Sequence, residues 1–210
     1  MDKIISLFRK RGGSDYIGEP VTQEQHMVGA ALIAEEKGYS DDLIVAALLH
    51  DIGHLLFENE KMGDLGVKGH EKIGADYLRG LGFNETVCDL VENHVNAKRY
   101  LCTVSPLYSK NLSNASRKTL NYQGGPMSNK EIWEFRKRPR FEMYIDLRIV
   151  DELSKESDMK GRDLEYFIPL CERCMKNKIR AIYPGNNSWE RVQIDTEPTV
   201  DKFRGSHSIQ

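Results

Sequence analysis

The segment VAALLHDIGHLL, residues 45–56, is the strongest constraint on what this chain can fold into. It is apolar enough to be a core helix, yet His50, Asp51 and His54 interrupt it. A buried carboxylate or imidazolium is costly unless it is paired or bound to a metal, so the rest of the chain must bring compensating groups to the same place. Five of the six histidines, His26, His50, His54, His70 and His94, lie in one part of the sequence, and His207 lies near the end. A lone histidine on an apolar helix is more often a hydrogen-bonded core residue than a ligand; here that would have to be true five times.

The spacing of apolar residues is helical almost throughout and alternating β-branched runs are scarce, which predicts an all-α architecture. Periodicity and start signals place helices near 21–37, 41–56, 68–81, 84–100, 110–121, 128–136, 139–157 and 163–178. The segments KGYSDD, ENEKMGDLGVKG and RGLGFNE supply the Gly, Asn and Asp that close one helix and cap the next. With 210 residues, 40% of them hydrophobic, one domain over 1–180 is expected. Beyond it, 181–210 loses helical periodicity and reads as a C-terminal arm or tail.

The formal net charge is −2 and basic residues are interspersed with acids, so no nucleic-acid-binding face is expected and any anion recognised should be small. No apolar run approaches the roughly 20 residues needed to span a bilayer. The start MDKIISLFRKRGG lacks the apolar core of a secretory signal; the reading is a cytoplasmic protein without a membrane partner, a monomer or small homo-oligomer. Cys88 and Cys102 are isolated and Cys171 and Cys174 form one CxxC. A single such pair invites a zinc or redox role only weakly, and two ordinary helix thiols are the better reading.

His26 sits beside apolar AALIA, His50 and Asp51 close the run IVAALL, and His70 and His94 stand on two further helices. In an antiparallel bundle, inward side chains from several helices converge, which is how bundle cores build metal sites. His50 and Asp51 are adjacent and splay by roughly 100° around a helix. Asp51 has two oxygens with which to bridge two ions while His50 holds one of them. His54 lies one turn further along, which favours a role beside the metals or toward substrate. Asp151 lies on a later helix whose other face reads Ile145, Ile149 and Val150.

A histidine, a helix ending in His-Asp, further separate histidines and a late Asp together resemble the HD-domain superfamily. The stretches DYIGEPVTQEQH, GHEKIGADYLRGLGF, NHVNAKRYL, NLSNASRKTLNYQGGPM and LRIVDE extend the resemblance, over about residues 14–155, to the PhnZ-type diiron oxygenases that cleave organophosphonates. That resemblance implies an HD-domain helical bundle with its metal site in the core. It assigns His26, His50, Asp51 and Asp151 to one iron and His70 and His94 to the other, with Asp51 bridging. It implies an Fe(II)/Fe(III) pair with O2 as cosubstrate, and nitrogen-rich ligands do favour a transition metal over magnesium.

The same resemblance places Tyr16 and Glu19 on a loop over the site, the tyrosine near an iron and the glutamate toward a substrate amine. His54, Lys98, Ser116, Thr119 and Arg148 match phosphonate-binding positions, with Gln123 nearby on the substrate side. The implied activity is oxygen-dependent C–P cleavage of a small organophosphonate, (R)-2-amino-1-hydroxyethylphosphonate to glycine and phosphate. The 2-trimethylammonio analogue, which gives glycine betaine, is the alternative within that chemistry. The rival from another reaction class is an HD phosphohydrolase using a metal-bound water; a silent ligand-binding module should lack the full set of six ligands.

Overall fold

The computed structural model of the protein describes residues 1–16, 19–56, 67–156 and 162–175. Among these residues there are α-helices and no strands: α1 (Asp2–Arg11), α2 (Gln23–Glu36), α3 (Asp41–Leu49), α4 (Ile52–Leu56), α5 (His70–Leu81), α6 (Glu85–Val104), α7 (Pro106–Asn111), α8 (Asn114–Tyr122), α9 (Asn129–Arg136), α10 (Phe141–Leu153) and α11 (Leu164–Arg173). A 3₁₀ turn, Ser154–Glu156, continues α10. Two isolated bridges, Asp15 with Thr22 and Phe83 with Met175, are the β-type pairings among the described residues. The all-α expectation holds. The arm or tail over 181–210, the helix end near 178 and His207 lie outside the described residues.

Helix starts follow the sequence chemistry. Thr22 and Ser128 form capping boxes with Gln25 and Glu131, satisfying main-chain N–H groups at the first turns of α2 and α9. Asn84 caps α6 through Val87 N–H, and Ser113 caps α8 through Ser116 N–H. α8 stops where Gly124 and Gly125 take positive φ values of 98° and 68°, which other residues rarely adopt.

The bundle is organised around α3, whose residues Leu43 to Leu49 are all buried. A helix apolar on every side belongs in the centre, and α3 packs against α2, α6 and α10. α6 in turn packs on α5 and α10, so the helices carrying the histidines and Asp151 surround one interior.

Three elements depart from the sequence reading. The chain start forms α1, which buries Ile4 and Phe8, one turn apart, in the core. The helix expected over 41–56 breaks at His50–Asp51. There the His50 ring bonds the Ala47 carbonyl through Nδ1 at 2.8 Å, where a continuous helix would offer that carbonyl to the Asp51 N–H. The region expected as one helix from 110 is two, with α7 ending at Asn111 before Ser113 caps α8. On α10, Ile149 is 39% exposed while Val150 and Asp151 are buried.

Glycine decides how α4 meets α5. A Cβ on Gly53 would lie 2.1 Å from the His70 carbonyl oxygen, so the two backbones touch only because that position lacks a side chain. This approach brings the His54 and His70 rings into a stack with centroids 3.9 Å apart.

Candidate active site

His26 from α2, His50 and Asp51 from the break after α3, His70 from α5, His94 from α6 and Asp151 from α10 meet in the interior, each buried. Their imidazoles form two pairs. His26 Nε2 and His50 Nε2 are 3.1 Å apart, as are His70 Nε2 and His94 Nε2. Asp51 stands between the pairs. Its Oδ2 lies 3.7 and 3.4 Å from His26 and His50 Nε2, and its Oδ1 lies 3.2 and 3.5 Å from His70 and His94 Nε2. Asp151 Oδ1 completes the first cluster, 3.3 Å from His26 Nε2 and 3.6 Å from His50 Nε2.

The outer nitrogens fix which way these rings offer their lone pairs. Nδ1 of His50, His70 and His94 bonds the carbonyls of Ala47, Val67 and Val91 at 2.8, 3.1 and 2.7 Å. A carbonyl only accepts, so each Nδ1 carries a proton and each ring, when neutral, presents Nε2 as a lone pair. Ser154 Oγ donates to the Asp151 carbonyl at 2.8 Å and accepts from His26 Nδ1 at 2.8 Å, giving His26 the same tautomer. Two lone pairs 3.1 Å apart beside a carboxylate repel unless a positive charge joins them. Asp151 Oδ1 is also buried without a hydrogen-bond partner.

Protonation trends carry the same message. Burial opposes charge on His50, but the Asp51 and Asp151 carboxylates overcome it and lift its pKa to about 10. Burial likewise opposes the charge on Asp51, yet positive charge on the neighbouring His50 holds it well below the usual carboxylate range. The centre therefore calls for cationic charge, which metal ions supply. His26, His50 and Asp151 fit one ion, and His70 and His94 with Asp51 fit a second.

His54 lies close enough to Asp51 and His70 to be grouped with them as a ligand. Its tautomer argues otherwise. Its Nδ1 accepts the Val67 N–H at 3.0 Å, so the neutral ring carries its proton on Nε2 and offers a donor. Burial, with the nearby His70, keeps its pKa well below normal and the ring neutral.

The cavity beside this cluster is lined by Tyr16, Glu19, Gln23, His54, Lys98, Ser116, Thr119, Gln123 and Arg148, together with Asp51, His70, His94 and Asp151. It thus brings the remaining sequence-expected residues into one pocket. Tyr16 stacks on His26 with centroids 3.9 Å apart, and burial with the Asp51 charge pushes its hydroxyl pKa well above normal. The loop carrying Tyr16 and Glu19 is closed at its base by the Asp15–Thr22 bridge and by Tyr16 N–H bonding Val21 O at 2.9 Å.

Lys98 Nζ donates to Thr119 Oγ1 at 3.0 Å, and Thr119 Oγ1 donates to the Ser116 carbonyl at 3.0 Å. Thr119 has one hydroxyl proton and has committed it to the helix, so it supports Lys98 and leaves the lysine's other protons to the pocket. Arg148 bonds Tyr108 Oη through Nε at 2.6 Å, and its two other nitrogens bond Asp151 Oδ2 and Glu152 Oε2. Arg148, expected to face a phosphonate, therefore also holds the outer oxygen of a metal-side carboxylate.

The sequence reading missed Gln23, Tyr108, Glu152, Ser154 and Lys155. Ser154 and Lys155 follow Asp151 by three and four residues, one helical turn, and that spacing was the available signal. Cys171 and Cys174 are buried and their thiols are pushed up to about 12, chiefly by burial. Among the described residues neither belongs to a metal-type cluster.

An all-helical bundle that gathers four histidines and two aspartates from separate helices defines a class, and the chain belongs to the HD-domain family, whose sequence profile spans residues 24–158. Among its relatives, a 1-hydroxy-2-(trimethylamino)ethylphosphonate dioxygenase (glycine-betaine-forming) of Leisingera caerulea is 42% identical over 85% of this chain and 91% of its own length. A hydroxymethylphosphonate dioxygenase of Gimesia maris is 35% identical over 84% of this chain and 90% of its own. An uncharacterized protein of Acanthamoeba polyphaga mimivirus is 48% identical over 80% of this chain and 78% of its own. The resemblance to PhnZ-type HD oxygenases holds. No helix among the described residues is long and apolar enough to cross a membrane.

Proposed function

We propose that this protein is a non-haem diiron dioxygenase that cleaves the C–P bond of a 1-hydroxyphosphonate, with (R)-2-amino-1-hydroxyethylphosphonate as its substrate. The observation that carries this reading is the pair of imidazole pairs, each with Nε2 atoms 3.1 Å apart, on opposite oxygens of Asp51. His26, His50 and Asp151 would hold one iron, His70 and His94 the other, and Asp51 both. Bound as an Fe(II)/Fe(III) pair, the metals supply O2 activation and one-electron chemistry. Two relatives that are phosphonate dioxygenases support that choice over hydrolysis. One O2 and one aminohydroxyphosphonate account for every atom of glycine and phosphate.

The chain's own residues bind and orient. Lys98, Ser116 and Arg148 converge on the place for the phosphonate, where charge-assisted bonds are the strong ones. His54, with a proton on Nε2, lines the same pocket as a further donor. Holding the phosphonate beside Asp51 and Asp151 places C1 and its hydroxyl against the metal positions, so orientation precedes reaction. Tyr16, stacked on His26, covers the cluster and excludes water from it.

At the other end, Glu19 Oε1 and Gln23 Oε1 are buried without hydrogen-bond partners among the described residues. A primary ammonium has three N–H groups to satisfy such acceptors; a trimethylammonium has none and prefers aromatic surroundings. That favours the 2-amino compound. The second reading, the trimethylammonio analogue, is favoured by the Leisingera relative's substrate.

The test is anaerobic loading with iron, addition of each hydroxyphosphonate, then O2, with phosphate and organic product measured. Phosphate release that needs O2, with glycine formed, is expected. Release without O2 would make the protein a hydrolase, and turnover of the trimethylammonio compound alone would overturn the amine assignment.

A further inference from the structure

Lys155 is a buried cation to which the proposed chemistry gives no role. It is 3% exposed, lies one turn beyond Asp151, and does not itself line the pocket. Its Nζ donates to Ser116 Oγ at 2.6 Å and to Glu152 Oε2 at 2.8 Å. Burying an ammonium costs several kcal/mol even after partial compensation, and Glu152 already carries Arg148. A surface-stabilising role does not require that cost.

The consequence lies in a single hydroxyl proton. Ser116 lines the pocket from α8 and is 8% exposed. An ammonium has donors only, so Ser116 Oγ must accept from Lys155, and its own hydrogen is left to point elsewhere. Among the described residues no acceptor takes that hydrogen, and the open direction is the cavity. Thr119, three residues on, shows the opposite state, with its proton given to the Ser116 carbonyl.

We infer that Lys155 is a positioning residue that turns the Ser116 hydroxyl proton toward the phosphonate, while Glu152, shared by Lys155 and Arg148, holds both cations in register. Without Lys155, the Ser116 hydroxyl is free to rotate and donate to Glu152, and the phosphonate meets an oxygen lone pair instead of a proton. This inference rests on the proposed function, since it takes the phosphonate end of the substrate as the ligand.

The test is a double-mutant cycle on the iron-loaded protein without O2, with binding of (R)-2-amino-1-hydroxyethylphosphonate read by calorimetry and iron content measured in each variant. Lys155→Met and Ser116→Ala should each weaken binding roughly tenfold. The combined variant should be little weaker than either alone, because both remove the same proton. Lys155→Arg, which keeps a donor, should stay within about threefold of wild type. Fully multiplying effects would overturn the inference, and so would a Lys155→Met variant that binds as the wild type does. If Lys155→Met fails to fold, the cycle is run with Lys155→Ala, which also lacks a donor, under the same criteria. A wild-type protein that binds no hydroxyphosphonate would instead sink the proposed function, so the two failures are distinguishable.

Discussion

In the metal-facing half of the site three of the four paired imidazoles take their orientation from main-chain carbonyls, at Ala47, Val67 and Val91, and His26 from the Ser154 hydroxyl, whereas in the anion-facing half the donors orient one another. Lys98 leans on Thr119, Lys155 on Ser116, and Arg148 and Lys155 share Glu152. A carbonyl is present whatever residue carries it, so the first half depends on the identity of the ligands and on the helices holding them. The second half depends on networks, in which a change at one residue is felt at its neighbours.

The largest effect should come where the first half has no substitute. Asp51→Ala removes the group that faces both imidazole pairs. Removing one member of a buried charged set costs about 3–5 kcal/mol, roughly a hundredfold to several-thousandfold in metal affinity. Metal analysis should find less than one iron per chain, with turnover at background. Two retained irons and normal turnover would remove Asp51 from the bridging position.

Next come the cations at the border. Lys98→Met and Arg148→Met should each weaken substrate binding by about 1.5–3 kcal/mol, roughly ten- to a hundredfold. The two should part company in metal content. Lys98 touches Thr119 and no ligand, so its variant should keep its iron. Arg148 grips Asp151 Oδ2, and loss of such an outer partner typically costs about ten- to a hundredfold in metal affinity. Equal iron retention in both would erase the border between the halves.

Glu19→Gln tests the far end of the pocket with a smaller change. It keeps the shape and removes the charge, so turnover of the 2-amino compound should fall about tenfold. Hydroxymethylphosphonate, which lacks an amine, should be turned over with little change. Equal loss on both substrates would place Glu19 in general pocket structure instead of amine recognition.

The two halves were not equally legible. Ligand residues announce themselves because His and Asp on the buried face of apolar helices are costly there unless a cation compensates them, and the six candidates do meet in one interior. The break that turns His50 and Asp51 together was not legible, because it goes with the close approach of Gly53 to the His70 backbone, a tertiary contact that no local pattern encodes. Lys98, Ser116 and Arg148 came from the family resemblance, since a lysine or serine on a helix is ordinarily solvated. Lys155 and Glu152 escaped both routes. Their significance lies in burial and in contacts between residues 39 positions apart, Ser116 and Lys155, which no local pattern encodes. α1 was missed for a simpler reason: two buried residues one turn apart are too short a pattern to distinguish from a chain terminus.

A pH dependence is also expected, and it belongs to the anion-facing half alone. Burial lowers the Lys98 pKa to about 7, and the charges of Arg148 and Lys155 add to the effect. Among the described residues no carboxylate lies within ion-pair distance of Lys98, in contrast to Arg148 and Lys155. A phosphonate would therefore be its first direct ion-pair partner, beyond the more distant Asp151 and Asp51 charges, and would raise its pKa on binding. The sign follows from linkage: substrate prefers the protonated lysine, so binding is strongest below about 7 and weakens as pH rises through that value. The loss should approach tenfold per pH unit until the pKa of the bound state is reached, since one proton is taken up on binding. Anaerobic binding measured from pH 6 to 9 should show this slope in the wild type, and Lys98→Met should flatten it while binding more weakly throughout. A slope that persists in Lys98→Met would move the titration to another group and return Lys98 to the role of a fixed charge.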